Sequence, residues 1–236
     1  MIRIAAVGDI HISEEARGSL RPHVMALKDH VDALLLAGDL TYVGRLREAE
    51  VLAGELDGAP VPVIAVLGNH DHHRNEADAI RETLERVGVT MLEGESITLE
   101  VRGRTLGVAG VKGFCGGFKG SHGHKFGESE MKAFIQAADD AALALETHLR
   151  ALRTDRRVAL LHYAPVRDTV EGERPEIFPY LGAYQLGDAI DRAGADLVLH
   201  GHAHYGSVEG VTPGGIPVRN VAMPVIRRPY AIYTLS

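Results

Sequence analysis

The strongest constraint on the fold comes from five short apolar runs, each followed directly by a polar, glycine-rich segment. They occupy residues 2–7, 33–37, 62–67, 158–161 and 196–199. Short runs that are apolar throughout, rather than alternating with polar residues, are typical of strands covered on both faces. The pattern therefore predicts buried strands at the centre of an α/β fold.

Two segments between these runs carry apolar residues at helical spacing. The shorter segment has them at Ala77, Ile80, Leu84 and Val87. The longer segment has them at Met131, Phe134, Ile135, Ala138, Ala142, Leu145 and Leu149. Apolar residues repeated every three or four positions predict amphipathic helices that pack on a sheet. Strands and helices therefore alternate along the chain.

Two other stretches favour antiparallel strands. Residues 96–109 predict a hairpin that turns at Gly103, and residues 207–233 contain strand candidates separated by residues 212–215. These stretches predict a second, more antiparallel sheet. The predicted fold class is α/β: a four-layer α/β/β/α sandwich of two mixed sheets flanked by helices, with right-handed crossovers. Residues 1–236 show no repeat and no linker, so we expect a single domain.

Composition restricts the class of protein. Hydrophobic residues make up 45% of the chain and charged residues 24%, which is typical of a globular protein. The formal net charge of -7 argues against a nucleic-acid partner, because phosphate binding is mainly electrostatic. The single cysteine, Cys115, cannot form an internal disulfide, and no signal peptide or stretch of about 18 apolar residues is present. We therefore expect a cytoplasmic protein with no membrane association.

Each apolar run is followed by residues that can bind metal ions or phosphate. Ligands of open α/β sheets bind at the carboxyl ends of the strands, because several turns converge there. Each of these polar strings alone has an ordinary explanation as a turn, a helix cap or a surface histidine. Together they predict one site rich in imidazole and oxygen donors. In chain order the residues are Asp9, His11, Asp39, Asn69, His70, Asp71, His162, His200, His202 and His204.

In this order, the strings resemble the calcineurin-like metallophosphoesterase superfamily. The pattern of that superfamily is D-x-H, G-D, G-N-H-[DE], H and G-H-x-H. Every element is present between Asp9 and His204, which is nearly the whole chain. A match in five parts and in the right order is far more specific than any single motif. The resemblance implies a binuclear metal-dependent hydrolase of phosphate esters that uses a metal-bridged hydroxide as nucleophile.

The resemblance also implies which residues bind the metal ions. Three would bind one ion: Asp9, His11 and His204. Three would bind the other: Asn69, His162 and His202. Asp39 would bridge the two ions. Imidazole and oxygen donors without a thiolate suit manganese, iron or zinc and do not distinguish among them.

Two further residues would complete the catalytic machinery. His70 would be the catalytic imidazole that binds no metal, and Asp71 would orient it. A protonated His70 would either protonate the leaving oxygen or stabilise charge on the phosphoryl group. His200 precedes the G-H-x-H element, so we expect it to be structural or to support a ligand.

The substrate stays open at this stage. A phosphodiesterase, a phosphomonoesterase, a nuclease and a protein phosphatase all use such a site. The G-H-x-H element retains both His202 and His204, which resembles the phosphodiesterase and nuclease side of the superfamily. We therefore expect a small-molecule phosphate ester, with a preference for diesters, as substrate. A non-catalytic interaction scaffold would have lost ligands, and here all of them are present. No feature predicts the oligomeric state.

The one long irregular stretch covers residues 113–127. Loops of this length are commonly either functional or mobile. We expect it either to border the substrate or to be a solvated surface loop. Its aromatic and basic residues are Phe114, Phe118, Lys119, His122, His124 and Lys125.

Overall fold

The computed structural model describes all residues from Met1 to Ser236. Its centre consists of two large mixed β-sheets that pack face to face, and helices cover the outer face of each sheet. The predicted α/β/β/α sandwich is therefore confirmed. No helix combines the length and the apolar character that crossing a membrane requires.

The first sheet contains five strands. They are β1 (Ile2–Val7), β2 (Ala33–Ala37), β3 (Val63–Val66), β4 (Val89–Met91) and β13 (Ala231–Leu235). Strands β1 to β4 are parallel, whereas β13 runs antiparallel to β1. Assigning residues 207–233 to the second sheet was therefore partly wrong, because the chain returns to pair with β1. This pairing covers the backbone of β1, which would otherwise be an open edge.

The second sheet contains six strands. They are β5 (Glu95–Val101), β6 (Arg104–Val111), β9 (Arg156–Leu161), β10 (Leu197–His200), β11 (Glu209–Val211) and β12 (Pro217–Asn220). The predicted hairpin is confirmed, since β5 and β6 are antiparallel and turn at Gly103. The middle of the sheet is parallel, however, and only its two edge pairs are antiparallel. A separate small hairpin joins β7 (Gly117–Phe118) and β8 (Ser121–His122).

Seven α-helices surround the sheets. They are α1 (Arg21–Met25), α2 (Leu46–Leu56), α3 (Ala77–Glu85), α4 (Ser129–Ala151), α5 (Phe178–Leu181), α6 (Tyr184–Ala193) and α7 (Met223–Ile226). The two predicted helices are confirmed as α3 and α4. Helix α4 buries Ile135, Ala138, Ala142, Leu145 and Leu149, which all belong to the predicted apolar face.

The core between the sheets fixes the position of the site. Ile4, Leu35 and Ile64 of the first sheet pack in one cluster with Val158 and Leu199 of the second sheet, and all five are fully buried. Burial of each such side chain contributes about 1.5–3 kcal/mol. Because the parallel strands of both sheets end at the same side of this core, their following turns meet there.

Candidate metal centre

The turns after β1 and β2 are tied together by backbone hydrogen bonds. The amide of Asp9 donates to the Gly38 carbonyl at 3.0 Å, and the amide of His11 donates to the Asp39 carbonyl at 3.1 Å. Asp9, His11 and Asp39 have φ values of 55°, 42° and 48°. Left-handed backbone at non-glycine residues costs free energy and is concentrated at functional sites. The two turns therefore present their side chains in a fixed, strained arrangement.

The glycines in these motifs are needed because side chains of candidate ligands press against their backbone. A Cβ on Gly68 would overlap the Asp39 carboxylate, and a Cβ on Gly201 would overlap the Asp9 carboxylate. Gly38, with a φ of 80°, lies in the same way against the ring of His162. The motif glycines thus let the side chains of candidate ligands approach the main chain of a neighbouring turn.

One group of candidate ligands lies at the ends of β1, β2 and β10. His204 Nε2 is 2.9 Å from Asp9 Oδ1 and 3.5 Å from His11 Nε2. His11 Nε2 is 3.8 Å from Asp39 Oδ2. The ligand atoms of the group all lie within 4.8 Å of one another, and its members are Asp9, His11, Asp39 and His204.

A second group shares Asp39 with the first. The ligand atoms of Asp39, His162 and His202 also lie within 4.8 Å of one another. His162 Nε2 is 3.3 Å from Asp39 Oδ1 and 2.9 Å from Asn69 Oδ1. The seven residues that the sequence singled out as ligands are therefore brought together in two adjoining groups.

The donors of both groups fit divalent metal ions. They consist of imidazole nitrogens, carboxylate oxygens and one amide oxygen, with no thiolate, and such sets suit transition metals of intermediate hardness. The imidazole nitrogens of His11 and His204 face each other and the carboxylates of Asp9 and Asp39. Such a convergence of lone pairs on one volume suits a divalent cation.

In each of two imidazole rings, a hydrogen bond occupies one nitrogen and leaves the other available to a cation. His162 Nδ1 donates to the Ala37 carbonyl at 3.0 Å, which leaves Nε2 as the nitrogen that faces Asp39 and Asn69. His202 Nε2 donates to the Tyr180 carbonyl at 3.2 Å, which leaves Nδ1 available to a cation. Burial lowers the pKa of His202 to about 4. The ring is therefore neutral at physiological pH, as a metal ligand must be.

His70 adjoins both groups but belongs to neither. Its Nδ1 donates to the Tyr42 carbonyl at 2.6 Å, and its Nε2 lies 3.9 Å from Asp39 Oδ2. The His70 ring packs edge-on against the His11 ring, with 4.5 Å between the ring centroids. The side chain is 40% exposed, so a bound molecule can reach the imidazole.

The predicted contact between Asp71 and His70 is absent. The Asp71 carboxylate is fully buried and accepts hydrogen bonds from the Leu40 amide, the Thr41 amide and hydroxyl, and the Gly68 amide. Burial raises the pKa of Asp71, and these hydrogen bonds oppose that shift. Asp71 therefore holds the turns after β2 and β3 together, and the Tyr42 carbonyl takes the orienting position at His70.

His200 has the structural surroundings that the sequence predicted. The ring is fully buried, with Nδ1 donating to the Gly201 carbonyl at 2.8 Å and Nε2 at 2.8 Å from the Thr169 hydroxyl. Burial lowers the pKa of His200 to about 4. Both nitrogens are used within the protein, so His200 is available to neither group.

Lys112 and Tyr163 are neighbours of the site that the sequence reasoning missed. The Lys112 carbonyl accepts hydrogen bonds from the amides of His162 and Tyr163, both at 3.1 Å. The Lys112 ammonium lies 5.8 Å from the centroid of the Tyr163 ring, which is 4.5 Å from that of His202. Lys112 has no ion-pair partner. Lys112 could have been found from the sequence, because it directly follows strand β6 just as the other site residues follow their strands.

The segment 113–127 contacts the second sheet and its helices rather than the ligand groups. Phe118 is buried in a cluster with Ala164, Phe178 and Ala203. Lys119 pairs with Asp188 of α6 at 2.7 Å, and Lys125 pairs with Asp139 of α4. Residues 113–118 are mostly buried, whereas residues 119–127 are mostly exposed. These partners give no support to a substrate contact, and only the second half of the segment matches a solvated surface loop.

Comparison with known proteins agrees with the fold and the motifs. The sequence model of the calcineurin-like phosphoesterase family matches residues 2–206. The family implies a dinuclear divalent metal centre. No protein of curated function shows significant sequence similarity to the chain.

Several solved structures share the fold at low sequence identity. The phosphopantetheinyl hydrolase of Mycobacterium tuberculosis has a TM-score of 0.68 and 17% identity, covering 95% of this chain and 90% of its own. Protein TT1561 of Thermus thermophilus has a TM-score of 0.55 and 19% identity, and the match covers 93% of this chain and 88% of TT1561. A putative 5'-nucleotidase of Staphylococcus aureus has a TM-score of 0.55 and 16% identity, and the match covers 93% of this chain and 48% of the nucleotidase.

Proposed function

Since the chain belongs to the calcineurin-like phosphoesterase family and is a metal-dependent phosphoester hydrolase, we propose a more specific activity. The protein hydrolyses small phosphodiesters at a dinuclear metal centre. The observation that carries the proposal is the pair of ligand groups that share Asp39. We propose that residues 1–236 act as one domain. We also propose the cytoplasm as the compartment, since the only cysteine, Cys115, is buried and free.

We assign each ligand group to one ion. The first ion would be held by Asp9, His11, His204 and the shared Asp39. The second would be held by Asn69, His162, His202 and the same Asp39. Manganese, iron and zinc all fit these donors. When bound, the ions supply positive charge at the phosphoryl oxygens and lower the pKa of water, which provides a nucleophile at neutral pH.

His70 would donate the proton that the leaving oxygen requires. Its Nδ1 is occupied by the Tyr42 carbonyl, so Nε2 is the nitrogen that faces the reacting group. Because the ring is partly exposed beside Asp39, it can approach an ester bound over the two groups. Asp71 would act as a positioning residue, through the turns that carry Asp39 and Asn69.

A preference for diesters is supported by the second histidine of the G-H-x-H element. His202 joins the group around His162, whereas His204 joins the group around Asp9. Both histidines are thus candidate ligands, which supports the resemblance to the phosphodiesterase side of the family. A small-molecule substrate agrees with the negative net charge of -7, which disfavours nucleic acid.

The test is a comparison of a monoester and a diester with the same leaving group. We would remove the metal, add manganese, zinc or iron(II), and measure kcat/KM for 4-nitrophenyl phosphate and bis(4-nitrophenyl) phosphate. We expect a higher kcat/KM for the diester. Asp39→Asn protein prepared in parallel controls for contaminating phosphatases. A higher value for the monoester would overturn the diester preference, and hydrolysis of neither ester by metal-loaded protein would contradict the proposed function.

A further inference from the structure

A cavity of about 630 Å³ lies beside the turn after β1. This volume is within the range of about 300–1,000 Å³ found for small-molecule sites. Its walls come from three segments: the turn after β1, the segment 16–23 that runs into α1, and the chain from Met223 to Pro229. His11, His70 and the other histidines of the metal centre are not among its walls, so the cavity is separate from the volume between the ligand groups.

The floor of the cavity is apolar. Ile10, Ile12 and Leu20 are buried and belong to the core cluster under the first sheet, and Met223 packs against that cluster. Such a floor favours an apolar or aromatic body, because its burial removes apolar surface from water.

The rim of the cavity is cationic. Arg227 and Arg228 line it, both are exposed, and neither guanidinium makes a hydrogen bond or ion pair. Asp9 is the only acidic residue in the wall, and its carboxylate is already engaged by His204 Nε2 and the His202 amide. Two unpaired guanidiniums beside an apolar floor, in a protein with a net charge of -7, favour an anion.

The local backbone fixes the main chain of Arg227 at the rim. Helix α7 ends at Ile226, and the next residue, Arg227, has a left-handed φ of 51° and an amide that donates to the Met223 carbonyl at 2.9 Å. The Met223 amide donates in turn to the Gly8 carbonyl at 2.9 Å. A non-glycine residue in this conformation carries strain that the surrounding structure must hold. The rim is therefore built on the strand end that also presents Asp9.

We propose that this cavity binds a small organic anion with an apolar body, whose carboxylate, sulfonate or phosphate group contacts Arg227 and Arg228. Binding does not depend on ester hydrolysis at the metal centre. Because Asp9 belongs both to the cavity wall and to a ligand group, the bound anion lies next to the metal centre without occupying it.

Calorimetric titration with 2-naphthoate and its uncharged analogue 2-naphthamide tests the proposal. We expect wild-type protein to bind naphthoate more tightly than naphthamide. Arg227→Gln and Arg228→Gln should each weaken naphthoate binding about tenfold, as loss of a hydrogen bond to a charged group implies, and leave naphthamide binding unchanged. Arg47→Gln, an equivalent change at an exposed arginine outside the cavity, should have no effect.

Two further variants locate the binding site. Ala16→Phe places a ring in the cavity and should weaken binding of both compounds, with the circular dichroism spectrum confirming the fold. Asp39→Asn should retain wild-type affinity for naphthoate, which separates this site from the metal centre and from the proposed hydrolysis. No binding of naphthoate to wild type, equal binding by the arginine variants, or loss of binding in Asp39→Asn would each overturn the proposal.

Discussion

The turns that carry the proposed ligands and the segment 113–127 are both rich in glycine, but Gly120 and Gly127 of the segment serve a different purpose from the glycines of the ligand turns. In the ligand turns, Gly68 and Gly201 provide space, because a Cβ would overlap the carboxylates of Asp39 and Asp9. In the segment, Gly120 and Gly127 meet nothing within 4 Å and instead have positive φ values of 92° and 91°. The ligand turns depend on close packing of charged groups, whereas these two positions depend only on chain direction.

The largest expected effect on metal binding and turnover is at Asp39, which belongs to both ligand groups. Asp39→Ala should abolish stable binding of both ions and with it turnover, because the ions provide several kcal/mol of transition-state stabilisation. Metal content and kcat of the purified variant are the measurements. Retention of both ions by this variant would show that Asp39 does not join the two groups.

The next effect separates His70 from the ligands. His70→Asn should retain both ions and lower kcat by about 10²–10⁴, the usual contribution of a general acid. The defect should grow with the pKa of the leaving group, since a nitrophenolate needs a proton less than an alkoxide does. A defect that is the same for all leaving groups would instead indicate charge stabilisation on the phosphoryl group, and full activity would exclude His70 from the mechanism.

A matched pair of glycine variants tests the contrast directly. Gly68→Ala should displace the Asp39 carboxylate and weaken metal affinity about 10–100-fold, as other changes that disturb ligand orientation do. Gly120→Ala should leave metal affinity unchanged and lower the free energy of unfolding by about 1 kcal/mol, because alanine is strained at positive φ. Metal titration and chemical denaturation distinguish them. Equal effects on metal affinity would show that the two regions do not differ in this way.

The smallest effect on catalysis is expected within the segment 113–127. Phe118→Ala removes a buried ring from the cluster with Phe178 and Ala203, and should lower the free energy of unfolding by about 3–5 kcal/mol. Metal content and KM should stay close to wild type, because the ring contacts none of the proposed ligands. A changed KM without loss of stability would restore the expectation that this segment borders the substrate.

Much of the fold could be predicted because its strands and two of its helices carry simple periodic patterns. The apolar run 33–37 coincides with β2, and the residues at helical spacing, Ala77, Ile80 and Leu84, lie in α3. The sheet assignment of the last strand could not be predicted in this way. Periodicity reports which face of a strand is buried, but the pairing of β13 with β1 depends on contacts between residues at opposite ends of the chain.

The candidate site shows the same division between local and long-range information. The convergence of the proposed ligands could be predicted, because each of these motifs follows a strand and strand ends converge. The partner of His70 could not, since it is the backbone carbonyl of Tyr42, and any residue type has a carbonyl. The adjacent carboxylate of Asp71 was the obvious choice from sequence, but it faces the amides of Leu40 and Thr41. Orientation in tight turns is decided by the backbone path.

The most direct test of the dinuclear centre is the number of metal ions per chain at full activity. Protein stripped of metal would be titrated with manganese, and bound metal would be measured by mass spectrometry beside kcat at each step. The two ligand groups joined by Asp39 predict that activity reaches its maximum at two ions per chain. Full activity at one ion per chain, with no further metal bound at saturation, would contradict this.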